Sequence, residues 1–344
     1  MHNERIRLKS LLDKVVSAEE AARFIKNGMT IGMSGFTRAG EAKAVPLALA
    51  ERAAREELKI TLMTGASLGN DLDKILTQAG VLARRLPFQS DPVLRKAINA
   101  GEVMFIDQHL SETVELLRSR QIGPVDIGVL ESVAITAEGG IIPTTSIGNS
   151  ARYHEVVPVI NKHKSRLILR PQEISNHPEV IRRLGLICIN TALECDIYGN
   201  INSTHVNGTH MMNGIGGSGD FARNASYAVF VTKSLAKNGN ISRVVPMVTH
   251  VDHNEHDVDV IITEVGLADL RGLAPRERAH TIIDNCAHPI YRDGLRDYFE
   301  RALKRGGHTP HLLEEAFSWH DAFRKRGTMK DACAERRVQE AVSL

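Results

Sequence analysis

The chain has 344 residues, of which 42% are hydrophobic and 24% charged; this suits two α/β domains of roughly 100–200 residues each and excludes a disordered chain. Lys and Arg number 43 against 41 Asp and Glu, a formal charge of +2, so no strong field draws DNA, RNA or an acidic membrane. Aromatic residues make up only 4%, little for single-stranded bases to stack on. The four cysteines, Cys188, Cys195, Cys286 and Cys333, form no C-x-x-C pair and are expected as reduced thiols. The opening stretch MHNERIRLKSLLDKVVSAEE places charges where a secretory apolar core would stand. No run reaches the roughly 18 apolar residues of a membrane span. A cytoplasmic protein is expected.

Ser17-Ala-Glu-Glu reads as an N-cap with acidic first-turn residues, opening a helix that ends near Asn27-Gly28. The apolar run 29–33 (MTIGM) is predicted as a strand, broken by the loop Ser34-Gly-Phe-Thr-Arg-Ala-Gly40. Residues 46–57 have helix composition, and 59–64 (KITLMT) read as the next strand, ending at Gly65-Ala-Ser-Leu-Gly69. Further strands are predicted at 103–106, 127–130 and 141–142. Short apolar runs alternating with helical segments imply a buried, mainly parallel sheet. Ligands of such sheets bind outside the carboxyl ends of strands, which favours the loop from Ser34 to Gly40 over any helix surface.

The character changes between residues 150 and 165, where the polar stretch Asn161-Lys-His-Lys-Ser-Arg precedes a new apolar run at 167–169. The domains are therefore expected at 1–150 and 165–344, with a junction at 151–164. Strands are predicted in the second half at 186–189, 228–232, 244–247 and 258–263. The tail from Pro289 through Trp319 reads as mostly helical.

Asn213-Gly-Ile-Gly-Gly-Ser-Gly-Asp220 is the most unusual stretch. Four glycines in six positions let the main chain approach a ligand closely and turn N–H groups toward it. Those groups suit a phosphate or the oxyanion of an attacked thioester; a plain turn is the alternative, and G-x-G-x-x-G is not matched. His250, His253 and His256, with Asp252 and Glu255 between them, have zinc-ligand chemistry. Without H-E-x-x-H, though, a solvated or locally hydrogen-bonded loop is the stronger reading, and no metal is expected. Glu264 and Asp269 suit acid–base work or, equally, a helix cap and an Asp–Arg pair. Ser218 lacks the G-x-S-x-G elbow of serine hydrolases.

Taken together, SGFTRAG, LMTGASLG, INAGEVMFID, GGIIPTTSIGNS, LILRPQEISNHPEVIRRLG, DIYGNINSTHVNGTHMMNGIGGSGDFARNA, VVPMVTHVDHNEHD, TEVGLADLRGL and CAHPIYRDGL resemble the acetyl-CoA hydrolase/transferase branch of the class I coenzyme A transferases. The resemblance is close to the succinyl-CoA:acetate and propionyl-CoA:succinate types, and covers nearly all of 5–150 and 165–330. It implies two open, mainly parallel α/β domains of the NagB/RpiA/CoA-transferase-like type, the second one shortened. It also implies ping-pong CoA transfer between a short-chain acyl-CoA and a small carboxylate, through a glutamyl-CoA thioester. Coenzyme A is then a substrate, with no permanently bound cofactor, and a homodimer is expected.

By the same resemblance Asn176 matches the amide that positions the catalytic glutamate. Gly217 matches the backbone donor beside the thioester oxygen, with Gly216 next to it. Asn213 and Lys237 match CoA contacts. The family pattern is longer by on the order of 150 residues, about one domain, and the missing piece falls between Gly148 and Lys164, where the nucleophilic glutamate normally lies. Tyr153-His154-Glu155-Val156 imitates that motif, which makes Glu155 a substitute nucleophile or, more simply, a linker residue. The remaining alternatives are a CoA-binding relative without turnover and a slow acyl-CoA hydrolase. Loss of mid-sheet strands is also expected to expose apolar edges.

Overall fold

A computed structural model describes residues 2–37, 39–66, 68–69, 71–143, 165 and 172–330. Two compact units divide the chain, Met1–Ser175 and Asn176–Leu344.

In the first unit, β1 (Thr30–Met33), β2 (Ile60–Met63), β3 (Leu82–Leu86), β4 (Met104–Phe105) and β5 (Ile127–Val129) form one parallel sheet in the order β4-β3-β2-β1-β5. Ile31 pairs with Leu62 on one side and Ile127 on the other. Ile31, Ile60 and Leu62 are buried with Leu49, Leu72, Leu76 and Leu94 from the helices Ala44–Ala53, Leu72–Gln78 and Pro92–Asn99. Local sequence sets the helix starts: Asp91 accepts from the N–H groups of Val93 and Leu94 at 2.8 and 2.9 Å, with Pro92 in the first turn. Ser17 and Glu20 close a reciprocal capping box. That first helix spans only Ala18–Ala22 and stops short of Asn27.

Two features of this unit differ from expectation. Strand β3 carries Arg84 and Arg85, and its apolar pattern is broken; Arg85 is nonetheless fully buried, because Asp73 meets its guanidinium. Ile141 and Ile142 do form a strand, but not in the parallel sheet: β6 (Ser132–Ile135) and β7 (Ile141–Pro143) make a separate antiparallel pair. The loop after β1 is pinned by Ser34, whose Oγ donates to Gly40 O at 2.6 Å and accepts from Glu131 N–H at 2.8 Å.

The second unit contains β8 (Ile187–Thr191), β9 (Glu194–Asp196), β10 (Ile201–Asn202), β11 (His205–Val206), β12 (His210–Met211), β13 (Tyr227–Val231), β14 (Leu235–Ala236), β15 (Ile241–Ser242), β16 (Val244–Val245), β17 (Val260–Ile262) and β18 (Leu267–Asp269). The main sheet runs β18-β17-β13-β8, parallel except for the antiparallel β18. The run at 244–247 contributes β16 to a second sheet, β10-β9-β16, not to the main one. Phe230 and Ile261 bury one face of the main sheet against Ile282 and Ile283 of the helix Pro275–Cys286 and Tyr291 and Leu295 of Pro289–Arg305. On the other face Ile187 and Ile189 of β8 are 66% and 69% exposed, and β8 has one strand partner among the described residues. The run predicted at 167–169 and the junction at 151–164 lie outside the described residues. Cys188, Cys195 and Cys286 are buried free thiols; Cys333 lies outside the described residues. No helix among the described residues is long and apolar enough to cross a membrane.

Candidate functional site

The glycine-rich stretch follows β12 and leads into the short helix Ser218–Ala222, with Gly217 as its N-cap. Gly216 takes φ +58° and turns the chain into that helix. The turn is tight: Ile215 O accepts from Ser218 N–H at 3.3 Å and from Ser218 Oγ at 2.8 Å. Among the described residues neither the Gly216 nor the Gly217 N–H meets an acceptor. Two adjacent main-chain donors are left to meet an external acceptor.

Asn176 lies against this turn. A β-carbon on Gly217 would stand 2.5 Å from Asn176 Nδ2, so only glycine permits the amide to sit so close. The same Nδ2 donates to Asp220 Oδ2 at 3.3 Å, a buried carboxylate whose main-chain O accepts from Asn224 Nδ2 at 2.7 Å. The structure thus brings Asn176 and Gly217 together. The sequence assigns Asp220 no role; its partner Asn176 lies 44 positions away, beyond the reach of local spacing.

Asn213 Oδ1 is buried with no hydrogen-bond partner among the described residues, an acceptor whose desolvation costs about 1–3 kcal/mol unless a donor meets it. Lys237 is exposed and lies in the left-handed region at φ +49°. It borders a cavity of about 300 Å³ whose lining includes Glu194, His205, Met212, Arg243 and His320. Inside that wall Glu194 Oε2 lies 3.0 Å from His320 Nε2, and Oε1 accepts from Asn202 Nδ2 at 3.0 Å. Burial pushes the Glu194 carboxyl up, but His320 and Asn202 outweigh it and hold the group below the usual carboxylate value. Neither Glu194 nor His320 carried a signal in the sequence. Glu155 lies outside the described residues.

The histidine-rich segment is organised by hydrogen bonds. Asp252 accepts from Ser203 N–H at 2.6 Å and Thr204 Oγ1 at 2.9 Å, and stands 3.3 Å from His250 Nε2. His253 points to the glycine turn, with Nε2 3.1 Å from Ser218 Oγ. No group of three or more His, Cys, Asp or Glu suited to a metal occurs among the described residues. Glu264 and Asp269 each have a separate partner. Glu264 accepts from Ser234 N–H at 2.8 Å and from its hydroxyl, bonds that overcome burial and lower its pKa. Asp269 pairs with Arg271 at 2.7 Å, which holds it at about 2.

Two α/β units with mainly parallel main sheets and a glycine turn whose amides meet no internal acceptor among the described residues suit an anionic or carbonyl oxygen of a ligand. The chain matches the acetyl-CoA hydrolase/transferase N-terminal domain over residues 2–167 and the C-terminal domain of the same family over 149–299. It is 37% identical to succinyl-CoA:acetate CoA-transferase of Clostridium kluyveri, covering 95% of this chain and 92% of that one. It is 33% identical to propanoyl-CoA:succinate CoA transferase of Escherichia coli K12 (91% and 98%) and 30% identical to acetyl-CoA hydrolase of Schizosaccharomyces pombe (95% and 98%). Among solved structures, RipA from Yersinia pestis superposes with a TM-score of 0.60 at 18% identity, covering 87% of this chain and 98% of that one. The acyl-CoA transferase apoenzyme of Escherichia coli O157:H7 gives 0.56 at 12% identity (75% and 88%); at such identities both speak for the fold alone. This chain belongs to the acetyl-CoA hydrolase/transferase family. The Clostridium alignment runs over 495 positions and this chain has 344 residues, so at least 151 of those positions face a gap.

Proposed function

We propose that this chain transfers coenzyme A between a short-chain acyl-CoA (succinyl-, acetyl- or propionyl-CoA) and a carboxylate such as acetate or succinate. The observation that carries this reading is the Gly216–Gly217 turn, with open main-chain donors and Asn176 packed against it. In the proposed reaction a glutamate carboxylate oxygen attacks the thioester carbon and the C–S bond breaks, giving an acyl–glutamyl anhydride and CoA thiolate. The thiolate then attacks the glutamyl carbonyl, releasing the first carboxylate and leaving a glutamyl-CoA thioester. The second carboxylate reverses these steps to leave as its acyl-CoA. The negative oxygen that develops on the thioester carbonyl is taken up by N–H groups at Gly217 and Gly216. Asn176 orients the attacking carboxylate. Asn213 and Lys237 hold the CoA, the Lys237 ammonium suiting a phosphate. Coenzyme A enters and leaves as a substrate, with no resident cofactor, and the working form is a cytoplasmic homodimer.

A second reading draws on the gap of at least 151 positions. If the protein carries no glutamate in reach of the thioester, acyl-CoA is bound without transfer, or water attacks the carbonyl and releases a carboxylic acid and free thiol. Thiol release from succinyl-CoA, measured with and without acetate, separates these. Transfer gives acetyl-CoA and a glutamyl-CoA adduct by mass spectrometry. Hydrolysis gives thiol at a rate that acetate does not alter. Binding by calorimetry with neither product identifies the non-catalytic case, and absence of binding sinks all three. Light scattering at micromolar concentration tests the dimer.

A further inference from the structure

His253 lies in the segment whose chemistry suggested a metal, yet its side chain serves the glycine turn. The residue is 1% exposed and fixed on two sides. Its main chain exchanges bonds with Ile201, Ile201 N–H donating to His253 O at 2.8 Å and His253 N–H to Ile201 O at 3.2 Å. Its ring packs on Phe230 of the central strand β13, with centroids 4.8 Å apart. From this base Nε2 reaches Ser218 Oγ at 3.1 Å. Ser218 has a single hydroxyl proton, and Ile215 O lies 2.8 Å away to receive it. Oγ then accepts from Nε2–H, which assigns the imidazole tautomer from the network. A continuous chain, His253 Nε2–H to Ser218 Oγ–H to Ile215 O, spans the two residues between Ile215 and Ser218, which are Gly216 and Gly217.

We propose that His253 is a positioning residue for thioester recognition: through Ser218 it fixes the turn that aims the Gly216 and Gly217 amides, while Asn176 packs on the turn as well. The proposal rests on the reading that these amides receive the thioester oxygen. Glycine pairs are the most conformationally free main chain, and small displacements of a catalytic donor lose much of its effect. A donor turn built from them needs such an anchor.

The test uses the full chain with His253→Phe, which keeps a ring on Phe230 but removes the donor, and with Ser218→Ala, which removes the relay. His253→Gln returns an N–H near the position of Nε2. Deuterium uptake without ligand is expected to rise at least about tenfold at the Ser218 amide, which donates to Ile215 O across the turn, in His253→Phe and Ser218→Ala, the size of one lost hydrogen bond of about 1.4 kcal/mol. It should return toward wild type in His253→Gln and stay unchanged over β13. Succinyl-CoA affinity by calorimetry should fall about tenfold in the first two variants. Their effects should not add in the double variant, because both break one chain. Unchanged uptake at the turn, an equal rise over β13, or faster uptake with unaltered affinity each overturns the assignment. Failure of the wild type to bind succinyl-CoA defeats the proposed function alone, and uptake at the turn still decides the role of His253.

Discussion

Asn176 Nδ2 donates to Asp220 Oδ2 at 3.3 Å and stands 2.5 Å from the point a β-carbon on Gly217 would occupy. Gly217 itself has φ −95° and ψ 1°, a conformation open to alanine. The clash in Gly217→Ala is with the end of a flexible side chain, so the backbone can stay and the amide must swing away. We expect this variant to lose less than about 1 kcal/mol of stability in urea. Succinyl-CoA affinity or turnover should nevertheless drop about tenfold or more. Equal losses in both measurements would mean that the contact serves folding alone.

Arg85 and Asp73 form a two-pronged pair at 2.8 and 3.1 Å, with side chains 0% and 1% exposed. Arg85 also donates to Leu86 O. Removing one partner strands a charge in the core of the first unit. Asp73→Ala or Arg85→Met alone should cost about 3–5 kcal/mol, whereas Asp73→Leu with Arg85→Met should cost far less, since an apolar pair needs no compensating charge. Urea midpoints of the three variants check this, and additive losses would count against it.

The same pair shows why part of the fold was hidden in the sequence. Strands β1, β2, β13 and β17 were legible as short apolar runs, because buried parallel strands need apolar side chains on both faces; β5 and β8 were legible by the same pattern, although Ile187 and Ile189 of β8 are exposed. Strand β3 was not, since LARRL looks polar until Asp73, twelve residues earlier, neutralises Arg85. Ile141-Ile142 was legible as a strand, but its partner Ser132–Ile135 has no strong pattern and the antiparallel pairing was missed. At the site, the glycine turn, Asn176 and Lys237 stood out by composition and by family likeness. Asp220 and His253 act through contacts with residues 44 and 35 positions away, and local spacing carries no record of those.

Lys237 offers a separation of stability from binding. Its φ of +49°, followed by Asn238 at +54°, places a side chain where glycine is preferred. Lys237→Gly removes that strain, worth about 1–2 kcal/mol, although glycine also gains freedom in the unfolded chain. Thermal stability should therefore hold or rise slightly. CoA affinity should fall, and its dependence on salt should weaken, because an ammonium paired with a phosphate is screened by ions. Unchanged affinity at low ionic strength would remove Lys237 from the CoA site.

Asp196 makes the stability of the second unit fall as pH rises through mildly acidic values. Its burial pushes the carboxyl from 3.8 up to about 6, against the N–H groups of Tyr198 and Asn200 at 3.0 Å and Asn200 Nδ2 at 2.9 Å, which pull it down. Between those two values the folded chain holds a proton that the unfolded chain has released. The contribution is therefore complete below about 3.8 and lost as pH climbs through about 6, a change of about 3 kcal/mol. Asp196→Asn keeps the shape and cannot titrate. Urea unfolding at pH 4, 5, 6 and 7 should show the wild type losing that amount relative to the variant across the window. A difference that stays flat, or grows in favour of the wild type, would mean that the three N–H donors outweigh burial and keep the carboxylate ionised throughout.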